Sequence, residues 1–294
     1  QAMQLFGAAA MVYGSKVADL PEDEHSVEMF NNWFYGALGA SDLGAIDEGS
    51  TLVRDEPKKI REAILALPEP LAEEHMARFA GNLFSRMSSV NPAIKLRYLE
   101  AGFEIVGDHP QAYEAKKVFD YYMDLTSEIQ LDVAVDGSAD IGTDPFGLKV
   151  QLKHTAIIEK ESGGFSRYLQ NQQNSNGFYN YGRPMENYRD KFEDAARAAL
   201  EESFEVMSVT FNKEDVNSKP IERYGWRRTP YAYILLKAKG EEVDRVPQLK
   251  IDLDFLDTSG YAVLPIVSPV VPVNASTTPE PQPMQALAVT QTLD

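Results

Sequence analysis

The amino-acid sequence predicts an α+β protein: an N-terminal α-helical bundle followed by an antiparallel β-sandwich domain with one inserted helix. One change in hydrophobic period, near residue 127, and the turn-rich links that follow it predict it. Up to Leu125 the apolar residues recur every three or four positions, which gathers them on one side of a helix. From Glu128 they alternate: Ile129, Leu131, Val133 and Val135 share one face, and Gln130, Asp132, Ala134 and Asp136 the other. Period two marks a strand with one buried and one wet face. The later apolar runs are short, alternate in the same way and are separated by turn-rich links, as in antiparallel sheets.

Each element has its own signal. Residues 1–25 read as an N-terminal extension, and the small apolar start from Phe6 to Val12 has two readings. It is either what remains beside a processed signal peptide, whose cleavage region favours small residues, or a first helix. The helical domain spans 26–126. Val27, Phe30, Phe34 and Leu38 are spaced as on a helix, and residues 40–56 read as an acidic, Gly-rich connector. Pro57 opens a helix carrying Ile60, Ile64 and Leu67, which Pro68 closes. Pro70 opens the next, with Leu71, Met76, Phe79, Leu83 and Met87 inward. Asn91-Pro92 pairs a capping side chain with a proline whose missing N–H costs nothing at a helix start. That helix runs through Leu99, Phe103 and Val106 to Gly107, and Asp108-His109-Pro110 starts another with Tyr113, Phe119 and Tyr122. Short links between such helices predict antiparallel neighbours.

The β-sandwich domain is expected over 128–267, with strands at 129–136, 148–152, 206–211, 231–238, 249–255 and 261–267. A helix at 186–205 interrupts them, and the Asn-, Gln- and Tyr-rich residues 162–183 read as a long loop. Residues 268–294 read as a Pro-rich, linker-like tail.

Composition excludes several functions. A net charge of −17 argues against a phosphate-rich partner, so no nucleic acid is expected. With no cysteine, disulfides, thiolate metal sites and cysteine nucleophiles are ruled out. The four histidines form no paired metal motif. The most apolar stretch, 261–273, is short and broken by Pro265, Pro269 and Pro272, so no transmembrane segment is expected. The expected setting is extracytoplasmic, periplasmic or secreted, with the cytoplasm as the alternative.

Four places could carry chemistry. Asp132, Asp136, Asp140 and Asp144 put carboxylates on a strand end and its turn, as a calcium site needs. Their spacing is not that of an EF-hand loop, and turns use the same residues, so neither metal nor cofactor is favoured. His154 continues the inward register of Leu148, Val150 and Leu152 near Glu159 and Glu161, and reads as a strand-end histidine bonded to backbone or a nearby carboxylate before it reads as a base. Asp257-Thr258-Ser259-Gly260 has letters in common with the aspartic-protease turn but carries an extra residue and has no second copy; a β-turn explains it. Asn274-Ala275-Ser276 is a glycosylation sequon in form.

The strongest signal is Arg223, Tyr224, Trp226, Arg227, Arg228 and Tyr231, a basic and aromatic run in an acidic chain. These residue types dominate protein interfaces, and arginine stems over β-core aromatics are the alternative. The sequence therefore points to a non-enzymatic binding or assembly protein whose partner is another protein. A carboxylate-based hydrolase or metal-dependent enzyme is the first alternative, and a structural subunit of a larger complex the second.

Overall fold

A series of helices is stopped and restarted by residues that cannot continue them. The computed structural model describes residues 2–16, 28–29, 32–33, 56–162, 164–165, 168, 187–212 and 217–276. Helix α1 spans Ala2–Lys16. A Cβ on its Gly7 would lie 3.1 Å from the Trp33 ring, so glycine lets the helix approach that indole. The expected helix at 26–38 and connector at 40–56 lie almost wholly outside the described residues.

Helices α2 (Glu56–Leu65), α3 (Leu71–Arg86), α4 (Lys95–Val106) and α5 (Tyr113–Ser127) follow. The restart signals work as predicted at Asn91, whose side chain accepts a hydrogen bond from the Ala93 N–H at 2.9 Å. At the next restart the imidazole of His109 is the cap, accepting from the Gln111 N–H at 3.2 Å. Gly107, at φ +60°, ends α4 in the left-handed region that glycine enters without penalty. A Cβ on Gly102 would come within 2.6 Å of Leu83, so α4 and α3 meet backbone to side chain. Tyr98 donates to the Leu83 carbonyl at 3.2 Å in the same contact.

The main sheet is antiparallel. Strands β1 (Ile129–Val135), β2 (Phe146–Thr155), β5 (Trp226–Ala238) and β3 (Phe204–Phe211) lie in that order, and β4 (Lys219–Pro220) also pairs with β5. Register sets Leu131 opposite Leu152, Val133 opposite Val150 and Val135 opposite Leu148; the predicted inward row is buried except for Val135, which is half-buried at the strand end. A slip of one residue would turn that row to water. Each of the buried side chains contributes roughly 1.5–3 kcal/mol by leaving water. After β2 comes the short helix α6 (Ala156–Glu161), capped by the Thr155 hydroxyl. Helix α7 (Tyr188–Leu200) lays the stripe Tyr188, Phe192, Ala196 and Leu200 into the core, Phe192 meeting Tyr231 edge-on at 5.0 Å.

Several boundaries differ from expectation. The helix ends at Leu200 and Phe204 opens β3; a Ser203 N–H bond to the Leu200 carbonyl makes the turn between them. An apolar face continuous across that turn hid the break. Strand β5 starts at Trp226, not Tyr231. The tail composition conceals real pairing. Short strands β6 (Arg245–Val246) and β9 (Val271–Pro272) join, and the Asn274 N–H bonds the Ala139 carbonyl at 2.8 Å. Residues 277–294 and the Asn/Gln-rich 171–177 lie outside the described residues.

The chain forms two compact units. One contains the helices to Glu128 together with Asp252–Pro265; the other contains the main sheet, α6 and α7. Strands β7 (Lys250–Asp257) and β8 (Gly260–Val267), expected in the β-sandwich domain, pair only with each other, and their tip belongs to the helical unit. The fold is α+β.

Candidate functional site

Strand β5 carries the basic and aromatic run, and its two faces part those residues. The turn before it uses Gly225 at φ +77°, a conformation that L side chains rarely adopt. This turn leaves Tyr224 100% exposed. Arg223 stacks on the Trp226 ring at 3.8 Å, while Trp226 itself is only 7% exposed. Arg227 is held internally: its Nε and Nη2 donate to the Ser218 hydroxyl and carbonyl, both at 2.6 Å, and Glu159 lies 3.8 Å away. Tyr231 is buried and donates its hydroxyl to the Tyr168 carbonyl at 3.1 Å; burial pushes its pKa up. Trp226, Arg227 and Tyr231 therefore serve the fold. Tyr224, Arg223 and Arg228 are presented to solvent.

A bulge organises the wet face. Val150 pairs with Ala232 and Gln151 with Pro230, which leaves Tyr231 unopposed. Bulges re-aim side chains, and here Tyr231 turns into the cluster with Phe192 and Phe211. Beside it, where β3 ends at Phe211, lies an open groove of about 910 Å³. Val209, Phe211, Pro230 and Tyr231 supply apolar lining, and among the described residues Lys149, Arg189 and Arg228 bring three cations against the one carboxylate of Glu193.

The pairing of those charges decides what the groove offers. Glu193 is already engaged by Arg197, at 2.9 Å from Nε and 2.7 Å from Nη2. Lys149 pairs with Asp136, which also accepts from the Tyr233 hydroxyl at 3.2 Å. Hydrogen bonds from these two groups hold the Asp136 pKa below its ordinary value, the lysine having the larger effect. Tyr233 can lie across the strand because residue 147 is glycine: a Cβ there would sit 1.8 Å from its hydroxyl oxygen. Arg189 lies over the Phe211 ring at 5.3 Å, and its buried Nε has no hydrogen-bond partner. No carboxylate among the described residues pairs with Arg189 or Arg228. Such a groove can hold a carboxylate by arginine forks over an aromatic floor.

The other candidates do not converge. Asp132 accepts from Gln151 at 2.6 Å and Lys153 at 2.7 Å, Asp136 is taken by Lys149, and Asp140 accepts from the Asn274 amide at 3.2 Å. The spacing that suggested calcium thus distributes the aspartates among cross-strand and turn partners. Among the described residues no three His, Asp or Glu side chains come together as a metal site. His154 is fully buried, with Nδ1 2.8 Å from the Thr155 carbonyl and Nε2 2.8 Å from the Thr229 hydroxyl. A neutral ring protonated on Nδ1 satisfies both contacts. Burial lowers its pKa.

One cluster lay outside the sequence reading. Lys95, 2% exposed, donates to the Ser259 carbonyl at 3.1 Å and meets the Ser259 hydroxyl at 2.9 Å. Tyr122 donates to Asp257, whose other oxygen accepts the Ser259 N–H at 2.5 Å. Burial lowers the Lys95 pKa, and nearby Asp257 opposes that shift. The available signal was a lysine in register with the buried stripe Tyr98, Leu99, Gly102 and Ile105 of α4. Asp257-Thr258-Ser259-Gly260 is a turn whose polar groups satisfy a buried cation.

No helix among the described residues is long and apolar enough to cross a membrane. Comparison with known proteins found no matching family model, curated protein or solved structure.

Proposed function

We propose that this chain is a non-enzymatic binding or assembly protein acting through protein–protein contacts, and that the exposed part of β5 and its preceding turn make the contact. The observation that carries this reading is the charge pairing of the groove. Arg189 and Arg228 lack carboxylate partners among the described residues, in a chain whose net charge is −17. Arginine and tyrosine are enriched at binding hot spots because they combine large contact area with directional polar tips. Tyr224 adds a fully exposed aromatic on the turn that leads into the same strand.

A photo-crosslinking amino acid at position 224, in cells that make the protein, tests the reading. The same group at Leu65, an exposed apolar position of the helical unit, is the control. The expected result is a discrete protein adduct from position 224 that is absent from position 65 and disappears when Arg228→Glu is added. Equal adducts from both positions, or none from 224, would overturn it.

A further inference from the structure

We infer that the groove beside β5 takes an extended acidic segment of a protein partner, its carboxylates on Arg189 and Arg228 and its aromatic or proline residues on Phe211 and Tyr231. This rests on the binding reading given above and names the chemistry of the partner.

The inference follows from which charges are already used. Lys149 has Asp136 and Glu193 has Arg197, so these residues contribute little net charge to an incoming ligand. Among the described residues Arg189 is positioned by its ring contact with Phe211 at 5.3 Å, and its buried Nε meets no acceptor. A buried donor without a partner is costly, and a carboxylate is the acceptor that a guanidinium matches best. Arg228 is exposed and lines the same groove, in register with Lys153 of β2. The apolar lining argues for a segment with carboxylates and rings over a bare polyanion. A nucleic acid would also need a long cationic track, and this surface supplies only a short one on an acidic molecule. The acidity of the rest of the chain does not prevent local docking. At physiological salt the Debye length is about 8 Å, so distant carboxylates are screened while arginines in contact are not.

The test uses the whole chain and a fluorescein-labelled peptide of alternating Asp, Glu, Tyr and Pro, read by fluorescence anisotropy. Its controls are the same peptide with every acid replaced by the amide, and an unlabelled oligothymidylate as competitor. The expected result is saturable binding of the acidic peptide, at least tenfold weaker binding of the amide peptide, and no effective competition by the oligonucleotide. Arg228→Glu should weaken binding at least tenfold with an unchanged melting temperature, Arg189→Gln should weaken it as well, and Arg245→Gln, an exposed arginine outside the groove, should not. Equal affinity for the two peptides, displacement by oligothymidylate, or retained affinity in both Arg228→Glu and Arg189→Gln would overturn the inference. Loss of peptide binding as a hypothesis is distinguishable from loss of the binding reading. If the crosslink from position 224 persists while the acidic peptide does not bind, the acidic-segment inference falls and the protein-binding reading stands; if both fail, both fall.

Discussion

Lys95 of the helical unit and Arg228 of the sheet unit are handled in opposite ways. In the helical unit Lys95 is buried and its ammonium is surrounded by acceptors: the Ser259 carbonyl and hydroxyl, with Asp257 close by. In the sheet unit Arg228 stands in water, and neither it nor Arg189 has a carboxylate partner among the described residues. A charge taken out of water must be matched on the spot, because desolvation is a penalty of several kcal/mol per ion. A charge left at the surface has no such requirement and remains available. The difference separates residues that hold the fold from residues that can recognise something.

The largest expected effect tests where that line falls within β5. Trp226→Ala should destabilise the protein by about 3–5 kcal/mol in a denaturant melt, because it empties a buried aromatic site. A loss below about 1 kcal/mol would place Trp226 with the offered residues and break the comparison. Next is Lys95→Met, which leaves the Ser259 carbonyl and hydroxyl without their donor and Asp257 without its neighbouring cation. A loss of about 3 kcal/mol is expected, with part of it recovered when Asp257→Asn is added, since removing both partners avoids the orphaned charge. No recovery in the double variant would mean that lysine packing, not charge matching, sets the cost.

His154 provides a pH test. Its pKa is lowered in the folded state, mainly by burial, with the Thr155 carbonyl and Glu159 opposing and Arg227 adding to the shift. The unfolded chain therefore binds more protons than the folded one below about pH 6.5. Stability contributed by neutral His154 is full above that pH and is lost as pH falls toward the folded-state value. Melting temperatures of the wild type should fall more steeply between about pH 6.5 and pH 5 than those of His154→Gln. Parallel slopes would show that the ring is not held neutral. The smallest effects belong to the exposed residues: Tyr224→Ala and Arg228→Glu should each change stability by less than about 0.5 kcal/mol. A larger change in either would show that it is engaged in the fold.

Period and turn chemistry were legible residue by residue. The switch to alternation after residue 127 appears as β1, and the Asn91-Pro92 restart appears as a capped turn, because both depend on local geometry. What was not legible depended on neighbours far along the chain. The stack of Arg223 on Trp226 is local, but the burial of Trp226 and Tyr231 depends on the sheet and α7 around them. Lys95 and Ser259 are 164 residues apart, so no window on the sequence could connect them. Asp132 and Asp136 looked like one cluster in sequence, but strand pairing gives each its own lysine.

The sequence by itself determined the α+β class, the order of helices before sheet, the inward row of β1 and β2, and the concentration of arginine and aromatic residues in one segment. These follow from side-chain periodicity and backbone propensity, which act over a few residues. Only the tertiary structure decided which charges are consumed and which are offered. It brought the tip of β7 and β8 to Lys95, buried half of the aromatic run, and left a groove where β3 ends and a bulge turns Tyr231 inward. Burial and charge pairing are properties of three-dimensional neighbourhoods, and a linear pattern does not contain them.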